Sequence, residues 1–378
     1  MRRRIMALAI LAIAALVAGS SASARTDAGA DRYIVVLKPG ANARAVANEH
    51  AAAHAAAIAF VYSHALNGYA ATIPNARLAA VQADERVEYV EPDGEMSAVA
   101  QTLPWGIDKI DADVSSTAAG NGSGTVSNVN VYVLDTGVDA THQDLNVVGH
   151  VAFAGGPNRD CHGHGTHVAG TVAAKDDAND VVGVVPGAPV TGVKVLGCNG
   201  SGSNSGVIAG IDWVTANAVK PAVANMSLSG GASQAIDDAV RRSAASGIFY
   251  ALAAGNEGTN ACTRSPARAG GGTNNGIMTL AATDSADREA SFSNYGSCVD
   301  LWAPGVGVLS TRKGGGTTTM SGTSMASPHG AGGGALYLST HAGSSPTAVE
   351  SALRSAAQST GTASKDGRGI VREHVGGF

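Results

Sequence analysis

The chain carries little net charge and no long run of one sign. Lys and Arg number 25 against 30 Asp and Glu, a formal −5 at pH 7. That balance gives no reason to expect nucleic acid or an anionic membrane as a partner. There is no repeat array and no recognisable appended C-terminal domain. Beyond residue 24 no segment is apolar for long enough to span a bilayer. The 50 glycines follow no collagen-like triplet, so they read as turns and close backbone packing. Hydrophobic residues, at 44% of 378, support a sizeable core and exclude wholesale disorder.

The N-terminus has the order of a secretory leader: "MRRR", the apolar run Ile5 to Gly19, then Ala22-Ser23-Ala24 as a small-x-small cleavage site. We therefore expect residues 1–24 to be removed and the product to be secreted, with no membrane association afterwards. The 4 cysteines, Cys161, Cys198, Cys262 and Cys298, then sit in an oxidising compartment, where free thiols are disfavoured. Three pairings are open to them. Joining chain neighbours, 161 with 198 and 262 with 298, would close two loops of similar length.

Two blocks follow. From 25 to 100, "RYIVVLK", "GYAATIP" and "VEYVEP" read as strands. Ala41 to Ala57 and "NARLAAVQAD" read as helices, together a small two-layer α+β unit. The segment "DGEMSAVAQT" at its end is small and cleavable. From 101 to 378, apolar strands such as "VNVYVLD", "VTGVKVLG" and "GIFYALAAG" alternate with helical stretches such as "SGVIAGIDWVTANA". That pattern predicts an α/β fold with a parallel sheet and helices on both faces. Function in such sheets gathers at the carboxyl ends of strands.

The segment "RDCHGHGTHVAG" packs three histidines, a cysteine and an aspartate into twelve residues. It could bind a metal or carry protons. Zinc peptidases of the H-E-x-x-H type need a glutamate between their histidines, and none stands here. Three other loops decide the matter. Asp135 ends the strand "VYVLDTG", His164 opens a small-residue helix, and Ser324 in "SGTSMASPH" opens another. A serine hydroxyl becomes a nucleophile when a histidine takes its proton and a carboxylate orients that ring. Asn256, at the end of "YALAAGN", offers a side-chain amide to a developing oxyanion, with the Ser324 backbone N–H as second donor. An esterase-like hydrolase would show G-x-S-x-G and the order Ser, Asp, His; neither is present.

With "VLDTG", "HGTHVAG", "NMSLSGG", "AAGNEG" and "GTSMASPH" in that order, the chain resembles the subtilisin-type serine peptidases, in particular the proteinase K and aqualysin branch. The resemblance implies Asp135, His164 and Ser324 as the triad and Asn256 as oxyanion donor. It implies a broad-specificity, monomeric endopeptidase acting on protein and peptide substrates, without organic cofactor. It makes 25–100 similar to an inhibitory, ferredoxin-like propeptide. Ser227, Leu228, Ser229 and Gly230 become a substrate-binding edge, and Ala253, Ala254 and Gly255 a wall of an apolar primary pocket. Cys161 fits a disulfide just upstream of the catalytic histidine, which supports the neighbour pairing. Asp300 in "SNYGSCVD" holds the place of a calcium ligand, its partners being carbonyls after "SPA".

Three departures stand out. Ser229 replaces a customary glycine, which would strain any backbone with positive φ. Gly330, Gly332, Gly333 and Gly334 predict a loosened nucleophile helix. The tail "KDGRGIVREHVGGF" matches no family feature and reads as flexible or trimmed. Met325, next to Ser324, is expected to lower activity when oxidised.

Overall fold

The computed structural model describes residues 30–93, 101–272 and 274–378; the expected leader and most of the expected cleavage segment lie outside them. The chain divides into two compact units, Met1–Ala98 and Val99–Phe378.

The first unit runs β1 (Ala30–Leu37), α1 (Ala43–His54), β2 (Ala57–Tyr62), β3 (Gly68–Pro74), α2 (Asn75–Gln82) and β4 (Val87–Pro92). Its antiparallel sheet has the order β2-β3-β1-β4, the ferredoxin-like βαββαβ arrangement. Val35, Leu37, Tyr69, Ala71 and Ile73 alternate onto one face and meet Val46, Ala47 and Val81 from the helices. Helix α1 starts where the Asn42 side chain accepts the Ala45 N–H at 3.0 Å. It ends before Ala57, where we had expected it to finish, with Ala55 in the left-handed region. The β-branched and aromatic residues of "IAFVYS" favour a strand there, and they pair with β3.

The second unit continues α3 (Trp105–Lys109), β5 (Asn130–Asp135), β6 (Val147–Ala152), α4 (His164–Ala173), β7 (Val190–Lys194), α5 (Asn204–Asn217), β8 (Ala222–Met226), β9 (Gly230–Gly231), α6 (Gln234–Ala245), β10 (Phe249–Ala253), β11 (Arg264–Ser265) and β12 (Ile277–Thr283). It closes with β13 (Leu301–Pro304), β14 (Val308–Thr311), β15 (Thr317–Met320), α7 (Thr323–Thr340), α8 (Pro346–Ala356), β16 (Gln358–Ala363) and β17 (Gly369–Arg372). A nine-stranded sheet has the order β16-β17-β13-β12-β10-β8-β5-β7-β6. Every pairing in it is parallel except β16 with β17.

Alternation along the central strands builds a core on each face. Val131, Val133, Phe249 and Ala251 point to one side with residues of α4, α7 and α8. Tyr132, Leu134, Tyr250 and Leu252 point to the other with residues of α5 and α6. Strands covered on both sides read as continuous apolar runs, which is why β5 and β10 were legible. Strand β5 ends at Asp135, while α4 begins at His164 and α7 one residue before Ser324. Parallel pairing and the crossovers thus bring three distant segments to one end of the sheet.

The tail differs from expectation. Strands β16 and β17 join the main sheet through β13. The Arg368 guanidinium donates to the carbonyls of Val299 and Gly296. Arg372 holds both carboxylate oxygens of Asp287 at 2.7 and 2.8 Å. The polar composition that suggested mobility supplies docking contacts instead.

Candidate active site

Asp135 is fully buried at the end of β5. Its Oδ1 accepts the Thr136 N–H at 2.7 Å and faces His164 Nδ1 at 2.7 Å. Since a carboxylate only accepts, the proton of this pair sits on Nδ1 and Nε2 is left as the basic nitrogen. Gly163, with φ 113°, turns the chain into α4. Gly165 lets that helix reach the strand end: a Cβ here would strike the Gly137 carbonyl and lie 3.0 Å from Asp135 Cβ. Burial pushes the His164 pKa down, but the charge and hydrogen bond of Asp135 outweigh it, and the pKa lies above that of an ordinary histidine.

Ser324 lies in the first turn of α7 and lines the same cleft as His164, of about 520 Å³. Its hydroxyl donates to the Ser227 carbonyl at 3.1 Å rather than to His164. Hydrogen bonds of this kind commonly tighten when substrate arrives. Asn256 is anchored from α7: its Oδ1 accepts the Thr323 N–H at 2.8 Å and the Thr323 hydroxyl at 2.9 Å. The amide nitrogen is thereby left to the cleft. One point beside Gly322, where a Cβ would stand, lies 3.4 Å from Asn256 Nδ2 and 3.6 Å from the Ser324 N. Two donors therefore converge next to the hydroxyl.

The three histidines of the quoted segment go to different places. His162 is exposed and lines the cleft beside His164, ring centroids 6.3 Å apart. His167 is fully buried, with Nε2 at 3.0 Å from the Val308 carbonyl, and burial lowers its pKa to about 4. Among the described residues no three His, Cys, Asp or Glu side chains gather as metal ligands. Disulfides join Cys161 to Cys198 and Cys262 to Cys298.

Ser227, Leu228, Ser229 and Gly230 line the cleft. The Ser227 hydroxyl donates to the Ser324 carbonyl at 2.8 Å. Ser229 is not among the residues with positive φ, so the strain foreseen for it does not arise. Ala253, Ala254 and Gly255 are buried next to Asn256, and a Cβ at Gly255 would lie 2.9 Å from the Ser229 hydroxyl of the cleft edge. Ala254 packs with Ala261, Ala267 and Trp302.

Asp300 does not fit the calcium role. Its Oδ1 meets Arg354 Nη2 at 2.5 Å and its Oδ2 accepts the Thr279 N–H at 2.7 Å. The carbonyls that would complete a site already accept hydrogen bonds: Ala267 from the Thr279 hydroxyl, Arg268 from Arg241, and Ala269 from Arg241 and Asn275. A guanidinium stands where the divalent cation was expected.

Sequence reasoning missed three supports of the site: Thr323, which fastens Asn256 and also accepts the Gly255 N–H at 3.0 Å; Asp160; and Lys194. The last is fully buried, with Nζ donating to the carbonyls of Thr136 and Leu196 at 2.7 and 3.0 Å. A lysine in an otherwise apolar parallel strand, as in "VTGVKVLG", was the available signal.

Both units of the chain resemble known proteins. Residues 126–376 match the model of the subtilase family, and residues 32–98 match that of peptidase inhibitor I9. An extracellular serine proteinase of a Thermus species is 46% identical over 78% of this chain and 71% of its own. Alkaline serine exoprotease A of Vibrio alginolyticus is 43% identical over 83% of this chain, which spans 59% of that protein. The crystal structure of a cold adapted subtilisin-like serine proteinase superposes with a TM-score of 0.63 at 42% identity, over 72% of this chain and 97% of that one.

Proposed function

The chain belongs to the subtilase family and is a serine protease, and from that premise we propose that it is a secreted endopeptidase made as a precursor, with Asp135, His164 and Ser324 as its triad. The observation that carries the assignment is the 2.7 Å contact between His164 Nδ1 and buried Asp135, in the cleft that also holds Ser324. Substrate binding turns the Ser324 hydroxyl from the Ser227 carbonyl towards His164 Nε2. That nitrogen takes the proton as Oγ attacks the scissile carbonyl carbon. Asp135 keeps the ring in the reactive tautomer and stabilises the imidazolium.

The negative charge on the former carbonyl oxygen falls between Asn256 Nδ2 and the Ser324 N–H. His164 then returns its proton to the departing amine, leaving an acyl-serine that water hydrolyses by the same route reversed. The substrate backbone lies along Ser227–Gly230, an edge that reads main chain rather than sequence. Leu196, Val207, Leu228 and Ile236 supply apolar lining, which favours bulky apolar or aromatic side chains before the scissile bond. Residues 25–100 act as the intramolecular inhibitor until they are cut away; the I9 match over 32–98 supports this.

Replacing Ser324 by Ala tests the reading. The precursor should remain uncut, casein should remain intact, and a fluorophosphonate should label the wild type alone. Persisting self-processing by the variant would refute it.

A further inference from the structure

We propose that Asp160 is a positioning residue for the triad, a buried carboxylate that locks the strand end bearing Asp135 to the helix start bearing His164. It is 4% exposed and accepts hydrogen bonds from five donors on three segments. Its Oδ1 takes the Thr136 hydroxyl at 3.0 Å and the N–H groups of His162 and Gly163 at 2.9 and 2.8 Å. Its Oδ2 takes the Thr166 N–H and hydroxyl at 3.0 and 2.5 Å.

Each bond fixes something the reaction depends on. Thr136 follows Asp135, gives its N–H to the Asp135 carboxylate, and accepts the Gly165 N–H at 3.0 Å. His162 and Gly163 are the two residues before His164, and Thr166 lies in its first helical turn. Asp160 therefore grips His164 from both sides along the chain and reaches Asp135 through one hydroxyl. The N–H groups it accepts are free donors at the start of α4, where a negative charge also suits the helix dipole. Lys194, behind Thr136, closes the ring by donating to the Thr136 carbonyl. The adjoining Cys161–Cys198 disulfide holds the segment covalently.

No isosteric replacement can serve. In Asp160→Asn the amide NH₂ must face either the three donors at Oδ1 or the two at Oδ2, setting donor against donor. Displacing reacting groups by about 1 Å costs on the order of 100-fold in rate. Asp160 also contributes charge: together with Asp135 it raises the His164 pKa against burial. The other titratable groups around His164 are His162, His167 one helical turn on, Lys194 on β7 and Lys313 beside Gly163.

This inference rests on the triad assigned above, so the experiment separates the two. Mature enzyme is counted by fluorophosphonate titration, and kcat, KM and the pH profile of kcat/KM are measured for wild type, Asp160→Asn and Thr136→Val. Per active site, we expect Asp160→Asn to lose roughly 10- to 100-fold in kcat with KM changed less than about threefold. Its acid limb should move to lower pH. Thr136→Val cuts one strand of the lock while leaving the charge. It should lower kcat in the same way with the acid limb unmoved, and it decides the matter if Asp160→Asn does not mature. Unchanged kcat in Asp160→Asn, or in Thr136→Val if the former fails to mature, overturns the proposal while leaving the triad intact. Activity in Ser324→Ala would overturn the triad instead.

Discussion

Arg354 holds Asp300 Oδ1 at 2.5 Å and Glu350 Oε1 at 2.8 Å, and both carboxylates are fully buried at their side chains. Glu350 is shared further, accepting the N–H groups of Asn275 and Gly276 at 2.9 and 2.8 Å. The helix α8, through Arg354 and Glu350, is thus riveted to the loop before β12 and to the start of β13. One guanidinium does what the family resemblance assigned to a calcium ion.

Arg354→Leu leaves two buried carboxylates facing each other without a cation. Breaking a pair of this kind costs about 3–5 kcal/mol when fully buried, and somewhat less with the arginine partly in solvent. Calorimetry on fluorophosphonate-inactivated enzyme should show wild type melting alike in chelator and in calcium. The variant should melt several degrees lower in chelator and recover partly with calcium. A wild type that loses stability on chelation to the same degree as Arg354→Leu would count against this assignment of Asp300.

Glu373 of the C-terminal tail makes alkaline pH costly. It is fully buried, both carboxyl oxygens lack a hydrogen-bond partner among the described residues, and burial raises its pKa to about 8. A folded-state pKa raised from 4.5 means that the native state holds a proton the unfolded chain has released. The associated stability is complete below the unfolded pKa and is lost as pH climbs towards 8. Asp144, raised by burial to about 7, and Asp300, raised to about 6, add to the same slope. Glu373→Gln should flatten the fall of Tm between pH 5 and 8 relative to wild type. Parallel curves for the two proteins would show that Glu373 does not titrate there.

His164 sets the acid limit of catalysis. Burial alone would lower its pKa, and Asp135 lifts it above the ordinary value. Since only the neutral ring accepts a proton, activity should fall as pH drops through a pKa higher than that of a free histidine. Asp135→Asn should shift this limb to lower pH and reduce kcat by on the order of 10⁴, as the wrong tautomer is favoured. A limb that stays in place would disconnect the two residues.

Sequence reading placed side chains well where they stand at the end of a regular element. Asp135 ends β5, His164 opens α4 and Ser324 lies in the first turn of α7, where the apolar strands and small-residue helices of the sequence put them. It failed where a role is defined by backbone partners. Asp160 works by accepting three backbone N–H groups, and Asp300 by facing an arginine 54 residues away.

Met325 is 1% exposed and packed in the core beneath the site, so peroxide should reach it more slowly than half-buried Met320. Mass spectrometry should show Met320 sulfoxide first, with activity falling only as Met325 sulfoxide accumulates. Met325→Ala should resist inactivation. Loss of activity in step with Met320 would refute the assignment.

The glycines of α7 were expected to loosen the helix, and their surroundings argue the reverse. A Cβ at Gly332 would strike Val184, with both Cγ atoms at 2.9 Å; at Gly334 it would meet the Phe249 ring at 2.5 Å. The missing side chains let neighbouring elements press against the helix backbone. Alanine would gain up to about 1 kcal/mol of helix propensity, but overpacking costs about 1–3 kcal/mol. The second effect wins where the neighbour cannot yield. Val184 is β-branched and presents its Cβ, so Gly332→Ala should lower Tm by roughly 2–6 °C. Gly330 faces the flexible end of Leu280, with Cδ2 at 2.8 Å, and Gly330→Ala should be nearly neutral. Hydrogen exchange should find the α7 amides strongly protected in the wild type. Rapid exchange there, or a Gly332→Ala protein that melts higher, would restore the view of a loosened helix.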